Sequence, residues 1–302
     1  MPIHSRVTRR LGLKTALVAA AVTVPLSSTA LTSQSTAVGR RPRTALEVMS
    51  FNLRYASTVE PHSWAVRRPV TRALLRQEAP HVIGTQEGLF PQLLDIDADL
   101  GRHYDWIGTG RLRGSGDESM AVFYDTRRLT PLEYDHFWLS GTPDVIGSNT
   151  WGAEYPRMAT WVRFRDRLTG GREFYVLNTH FDHRSQYARE RGAALIAERI
   201  GGFAPGLPVV VTGDFNVPAH GNAVHDLLLG AGLLDTWDTA KEHGPSYGTF
   251  HGYRPLEPDG DRIDWIMATR GVTAHRAAVN TFAVDGQFPS DHLPVQASLS
   301  LG

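Results

Sequence analysis

Eight short runs rich in Val, Ile, Phe, Tyr, Trp and Thr recur along the chain: LEVMSF (46–51), HVIGTQ (81–86), SMAVFYD (119–125), ATWVRF (159–164), EFYVLNTH (173–180), PVVVTGD (208–214), DWIMAT (264–269) and VQASLSL (295–301). Their length and β-branched, aromatic composition are those of strands. These runs do not simply end in turns. MSFN ends in Asn52, VIGTQE in Glu87, YVLNTHFDH in His180, Asp182 and His183, and VVVTGDFN in Asp214 and Asn216. Asp264 opens the run that follows RI, and Asp291 and His292 stand just before the last run. A chain of this kind must fold into sheets whose rims carry polar groups.

Three stretches between the runs read as helices. VRRPVTRALLRQEAP (66–80) spaces Val70, Ala73, Leu74 and Gln77 helically and stops at Pro80. SQYARERGAALIAERIGG (185–202) repeats apolar residues up to Ile200 and ends at Gly201 and Gly202, and NAVHDLLLGAGL (222–233) also ends in glycines. Strands outnumber helices and the helices fall between them, which predicts a sheet-on-sheet core with helices outside.

Neighbouring antiparallel strands share a rim between the end of one and the start of the next. Such an arrangement would gather Asn52, Glu87, His180, Asp214, Asn216, Asp264, Asp291 and His292. Asp214 and Asn216, two apart on an extended chain, face the same side. Several carboxylates buried together are costly unless a cation neutralises them. Oxygen donors without any cysteine suit a hard divalent ion, Mg²⁺ first, Mn²⁺ or Ca²⁺ next. The histidines are better used for proton transfer or for donation to a phosphate oxygen. Metal, imidazole and amide donors together equip a site for in-line attack of water on phosphorus.

The first 37 residues read as an export signal rather than as part of the fold. TRRLGLK (8–14) precedes an apolar run and then small residues, and the Arg9-Arg10 pair with Leu13-Lys14 points to the twin-arginine route of bacteria. The apolar run is shorter than the roughly 20 residues that a membrane span needs. Cleavage is expected after Ala37, with Ala30 the alternative. Residues 38–44, with RRPR at 40–43, are expected to be a disordered start, and residues 45–302 a single catalytic domain. The whole chain is balanced at 31 basic and 31 acidic residues. Loss of Arg6, Arg9, Arg10 and Lys14 would leave 27 basic against 31 acidic, a net charge of −4. Proteins that grip nucleic-acid backbones generally carry a basic surplus instead.

In order along the chain, SFNLRY, GTQE, NTHFDH, TGDFN, RIDWI and SDHLPV resemble the endonuclease/exonuclease/phosphatase superfamily, the deoxyribonuclease-I-like metal-dependent phosphoesterases. The resemblance implies a four-layer α/β sandwich of two packed mixed β-sheets flanked by helices. It implies that Glu87, Asn52 and Asp291 hold the metal, and that His180 donates to a phosphate oxygen or assists the leaving group. Asp214 would orient or deprotonate the attacking water, with Asn216 holding that aspartate and the phosphate. His292 would be the catalytic histidine and Asp264 the carboxylate that orients it. A carboxylate on one imidazole nitrogen fixes the tautomer and raises basicity. Whether Asp214 or His292 takes the proton stays open at this level.

SW-x-x-RRP (63–69), FWLSGTPD (137–144), PRMATW (156–161) and GTFHGY (248–253) are similar to the exported bacterial branch of that superfamily. Arg157 is a candidate phosphate binder or a solvated strand arginine, and His251 a candidate for the substrate cleft. Trp64 and Trp151 read as packing residues before stacking platforms, and His183 as structural or catalytic. The resulting expectation is a monomeric, secreted phosphodiesterase or phosphatase acting on a small-molecule or headgroup phosphodiester. A secreted nuclease on DNA or RNA is the alternative, and an inactive binding module of the same fold a lower one.

Overall fold

The computed structural model describes residues 44–302, so the expectations for residues 1–37 and for RRPR at 40–43 lie outside the described residues. In chain order the strands are β1 (Leu46–Asn52), β2 (Val82–Gly88), β3 (Tyr104–Gly110), β4 (Ser119–Asp125), β5 (Leu129–Trp138), β6 (Met158–Asp166), β7 (Arg172–His180), β8 (Val209–Asp214), β9 (Leu233–Asp235), β10 (Glu242–His243), β11 (Asp264–Thr269), β12 (Val272–Val279) and β13 (Val295–Leu301). The helices are α1 (Trp64–Glu78), α2 (Phe90–Leu100), α3 (Gln186–Gly201), α4 (Ala223–Gly230) and α5 (Thr236–Thr239). One sheet has the order β10-β12-β13-β1-β2-β4-β3 and the other β5-β6-β7-β8-β11-β9. Both mix parallel and antiparallel pairs and carry helices on their outer faces: the four-layer α/β sandwich expected from the resemblance.

Strand parity explains the layering. Leu46 and Val48 of β1, Val82 of β2, Val176 of β7, Val210 of β8 and Ile266 of β11 belong to the core between the sheets. Their odd-numbered neighbours point the other way. Met49, Phe51 and Ile83 pack with Leu74, Leu75, Leu93 and Ile96 of α1 and α2. Leu177, Val211 and Met267 pack with Ile196, Val224 and Leu228 of α3 and α4. Successive strand side chains alternate between faces, so each strand supplies two cores.

Further along the inward parity the filling turns polar. Asn178 is buried and donates through Nδ2 to the Thr85 and Ala121 carbonyls at 2.8 and 3.0 Å, while its Oδ1 accepts from Gln86 at 2.7 Å and Thr212 at 3.0 Å. Gly84 leaves room for this network, since a Cβ there would stand 2.0 Å from Thr212 Oγ1. One step beyond, on the same parity, are Asn52, His180, Asp214 and Asp264.

The rim forms differently from the antiparallel expectation. β1 and β2 are parallel, as are β7 and β8, so each pair delivers its C-terminal residues to the same end. β11 alone supplies its first residue, because it runs antiparallel to β8 with Asp264 opposite Asp214. The three expected helices are α1, α3 and α4, capped by Ser63, Ser185 and Asn222. Sequence reading passed over α2, β3, β5 and β12, and the short β9, α5 and β10. β5 is a half-exposed edge strand interrupted by Pro131, and β12 is rich in alanine, so neither carries a strong strand signal.

A pH-sensitive joint holds β1 to the loop before β2. The Glu47 N–H donates to His81 Nδ1 at 2.9 Å, and Arg128 Nη1 lies 3.3 Å from the same atom. Burial and the Arg128 charge push the His81 pKa down to about 4. The unfolded chain therefore takes up this proton first, near pH 6.5. His81's contribution is fully present above pH 6.5 and is lost as pH falls toward 4. In denaturant titrations between those pH values, wild type is expected to lose stability more steeply than His81→Asn. Parallel slopes would refute it.

Candidate active site

Glu87, His180, Asp214, Asn216, Asp291 and His292 line one cleft of about 500 Å³ together with Tyr55, Arg111, Glu118, Tyr155, Arg157 and Phe250. Asn52 and Asp264 are buried behind these lining residues. The eight residues singled out from the sequence are thus brought together at one end of the sandwich.

Two of them need unusual backbone. Glu87 has odd parity and would point toward α1 and α2 on a regular strand. A register shift between Thr85 and Gly88 and a left-handed φ of 61° at Glu87 turn it to the cleft instead. Asn216 also has a positive φ, 53°, which lets its N–H donate back to Asp214 Oδ1 at 2.9 Å. Non-glycine residues in this region cost on the order of 1 kcal/mol, and such strain concentrates at functional sites.

One amide organises the carboxylates. Asn52 Nδ2 donates to Glu87 Oε1 and to Asp214 Oδ2, each at 3.0 Å, and its Oδ1 accepts the Arg54 N–H at 2.9 Å. Asn52, expected among the metal-holding residues, positions two carboxylates through Nδ2, and its Oδ1 keeps one lone pair beyond the Arg54 N–H. Glu87 Oε2 takes the Tyr55 N–H at 3.3 Å. Asp291 shares the cleft with Glu87, and its Oδ2 lies 3.8 Å from Arg54 Nε.

His292 sits between two buried carboxylates, with Nδ1 2.9 Å from Asp264 Oδ2 and Nε2 3.8 Å from Asp214 Oδ2. Burial alone would push its pKa down, but the charges of Asp264 and Asp214 outweigh that and raise it well above the usual imidazole range. Burial and the Asp264 charge push Asp214 up. His180 is the opposite case. Burial and the neighbouring Arg157 guanidinium hold it far below its usual range. Arg157 Nη1 reaches His180 Nδ1 at 2.8 Å, and a guanidinium can only donate, so the imidazole proton lies on Nε2. That nitrogen has Asp214 Oδ2 as its acceptor at 3.4 Å, while Asn216 Nδ2, a donor bonded to the Phe181 carbonyl at 3.0 Å, stands 3.0 Å away and cannot accept from it. His180 is built as a neutral donor, His292 as a cation.

The donor set fits a hard divalent ion. Ligand atoms of Glu87, His180 and Asp214 lie within 4.8 Å of one another, as do those of Asp214, Asp264 and His292. Asp264 Oδ1 is buried without a hydrogen-bond partner. Carboxylate oxygens facing a shared cleft in this excess are the surroundings that such an ion relieves.

Arg157 is not a solvated strand arginine. It is buried, lines the cleft, and reaches both His180 and His183. His251 is not among the lining residues. Its Nε2 donates to the Ser290 carbonyl at 3.2 Å and its Nδ1 accepts the Tyr253 N–H at 3.1 Å, so both nitrogens brace the loop that carries Asp291 and His292. Trp64 packs in the core with α1 and α2, and Trp151 packs against the core beneath α3 and α4. Sequence reading missed Arg111. Its guanidinium pairs with Asp117 and Glu118 and lies over the Tyr155 ring at 4.6 Å. Burial and the Glu87 charge raise the Glu118 pKa to about 7. The crowded RLRGSGDES stretch was the available signal.

Residues 49–292 match the model of the Endonuclease/Exonuclease/phosphatase family. Among solved structures, a mannosyl-6-phosphatase from Bacteroides thetaiotaomicron is 33% identical with a TM-score of 0.79, over 84% of this chain and 99% of that one. An endonuclease/exonuclease/phosphatase from Bacteroides vulgatus is 31% identical with a TM-score of 0.81, over 86% of this chain and 100% of that one. The human nocturnin catalytic domain, 17% identical with a TM-score of 0.68 over 87% of this chain and 96% of that one, shares the fold. No curated protein sequence matches. The chain belongs to the Endonuclease/Exonuclease/phosphatase family and is a phosphoric ester hydrolase.

Proposed function

We propose that this chain is an exported hydrolase of small phosphate esters outside the cell, with phosphomonoesters of sugar-like molecules as the preferred class. Sequence alone pointed to a diester. The observation that moves the reading is the presence of two guanidinium groups, Arg111 and Arg157, in the same cleft as Glu87, Asp214 and His292. A monoester carries one more negative charge than a diester, and two guanidinium charges beside the cleft favour it through space, since the Arg111 N–H groups are taken by Asp117 and Glu118 and Arg157 stands behind His180. The relative named as a mannosyl-6-phosphatase, similar over nearly its whole length, supports this class. The expected deficit of basic residues in the exported chain speaks against nucleic acid. No helix among the described residues is long and apolar enough to cross a membrane. Export rests on the Arg9-Arg10 pair and the apolar run after it.

Glu87 and Asp291, with the Asn52 oxygen beside them, would hold the divalent ion, Mg²⁺ first, and the Asn52 amide orients Glu87. Its chemistry there is polarisation of a phosphoryl oxygen. Asp214, kept basic by burial and Asp264, accepts the proton of the attacking water. His180 Nε2–H and the Asn216 amide donate to phosphate oxygens. As the P–O bond to the alcohol breaks, His292, charged between Asp264 and Asp214, donates its proton to the leaving oxygen. Arg157 fixes the His180 tautomer from behind.

The test is a panel of sugar phosphates, bis-p-nitrophenyl phosphate and plasmid DNA, run with Mg²⁺, Mn²⁺ or Ca²⁺ and then with EDTA. Sugar phosphate turnover is expected to exceed diester turnover and to vanish with EDTA. Faster cleavage of plasmid than of any small ester would overturn the substrate class. Turnover indifferent to EDTA would overturn the metal.

A further inference from the structure

His225, in the first turn of α4, is fully buried, and its Nδ1 has no hydrogen-bond partner. Its Nε2 has only a long contact, 3.5 Å, to Asp235 Oδ2. A buried imidazole nitrogen without a partner is rare, because the lost hydration is not replaced. Two further groups face the same place. His220 Nε2 lies 3.2 Å from Asp238 Oδ1, and ligand atoms of His220, His225 and Asp238 fall within 4.8 Å of one another. None of the three lines the catalytic cleft.

We propose that His220, His225 and Asp238 form a second metal site that takes a borderline transition dication, Zn²⁺ first. Two imidazoles and one carboxylate suit Zn²⁺, Ni²⁺ or Cu²⁺ and are a poor match for Mg²⁺. Tetrahedral zinc with bonds of about 2.0–2.1 Å sets its ligand atoms roughly 3.3 Å apart, a spacing reached by small side-chain adjustment. Arg262 brings a positive charge close by, and that charge is answered: its Nη2 is 3.0 Å from Asp235 Oδ2 and 4.0 Å from Asp238 Oδ1, and its guanidinium lies over Trp237. Asp235 neutralises Arg262, which leaves the Asp238 charge to the ion. Asp235 also stands where a carboxylate orients a metal-binding imidazole from behind. Exposed His220 and Asp238 give the ion an entry path.

The site would brace the active end of the sandwich. His220 lies in the segment that joins β8 to α4 and begins with Phe215 and Asn216. His225 meets Trp265 edge-on at 5.0 Å, and Trp265 stacks on Phe215 at 4.2 Å. An ion joining His220 to Asp238 would pin the far end of that segment to α5.

The experiment uses the EDTA-stripped, dialysed protein in saturating Mg²⁺, so that the cleft is occupied, with Zn²⁺ or Co²⁺ then titrated. Wild type is expected to bind one equivalent, to show the visible absorption of four-coordinate Co²⁺, and to gain unfolding temperature with Zn²⁺. His220→Ala and Asp238→Ala are expected to weaken Zn²⁺ binding at least about tenfold and to lose the temperature gain. With Mg²⁺ alone, both should keep phosphatase activity within about twofold, which marks them as folded. Equal Zn²⁺ binding and equal temperature gain in His220→Ala and wild type would overturn the proposal, as would a wild type that takes up no Zn²⁺ beyond the Mg²⁺-filled cleft.

Discussion

Asp264→Asn is expected to lower kcat on the best phosphate ester by about 10³- to 10⁴-fold with KM little changed. Asp264 Oδ2 accepts from His292 Nδ1 at 2.9 Å, and the two are buried together. An asparagine amide has nearly the same shape but can donate through Nδ2 to Nδ1. That bond would force the imidazole proton to Nε2 and favour the neutral ring. The cation that Asp264 and Asp214 stabilise would be lost, and with it the proton available to the reaction. Steady-state kinetics check the rate, and the His292 side-chain ¹⁵N shifts check the protonation state. A fall of less than tenfold, or an unchanged imidazolium signal, would place Asp264 outside the chemistry.

Arg67→Ala is expected to cost about 3–5 kcal/mol of stability, a loss of roughly 10 °C in Tm for a domain of this size. Arg67 is fully buried, yet no carboxylate is paired with it among the described residues. Its guanidinium donates to main-chain carbonyls of three segments: Leu53, Arg54 and Tyr55 after β1, His62 before α1, and Pro289 before His292. Each buried carbonyl left without a donor costs about 1–3 kcal/mol where water cannot reach it. Lysine would not repair the loss, because one ammonium cannot serve carbonyls spread over that fork. Tyr55 supplies the N–H on Glu87, and Pro289 is two residues from Asp291, so apparent Mg²⁺ affinity should fall in the same variant. Denaturant titration and activity against Mg²⁺ concentration measure the two effects. A stability loss below about 1 kcal/mol would show that water replaces the guanidinium.

The legible part of the site was the part carried by strand periodicity. Asn52, His180, Asp214 and Asp264 stand on the same parity as Val48, Val176, Val210 and Ile266. A reader who places the valines inward has placed the polar residues too. Glu87 breaks that rule and was reached only through its motif, because its orientation depends on a bulge and a left-handed φ that parity does not encode. Arg157 and His251 could not be placed from sequence for separate reasons: only packing decides between a solvated and a walled-in arginine, and it sets Arg157 at the cleft behind His180, whereas His251 is adjacent to the cleft segments in sequence but spends both nitrogens on backbone. Arg111 was missed although RLRGSGDES holds it with both partners, because Asp117 and Glu118 meet it only through the turn that closes between β3 and β4.

Taken alone, the sequence determined the strand and helix inventory at the centre of the sheets and the chemical identity of the residues at the active end. Both follow from local alternation and residue type, which need no partner to be read. Tertiary structure decided which strands run parallel, which charges face one another, and hence which histidine is neutral and which is a cation. Those properties depend on distances between segments far apart in the chain, and on burial that no single segment possesses until the two sheets close over it.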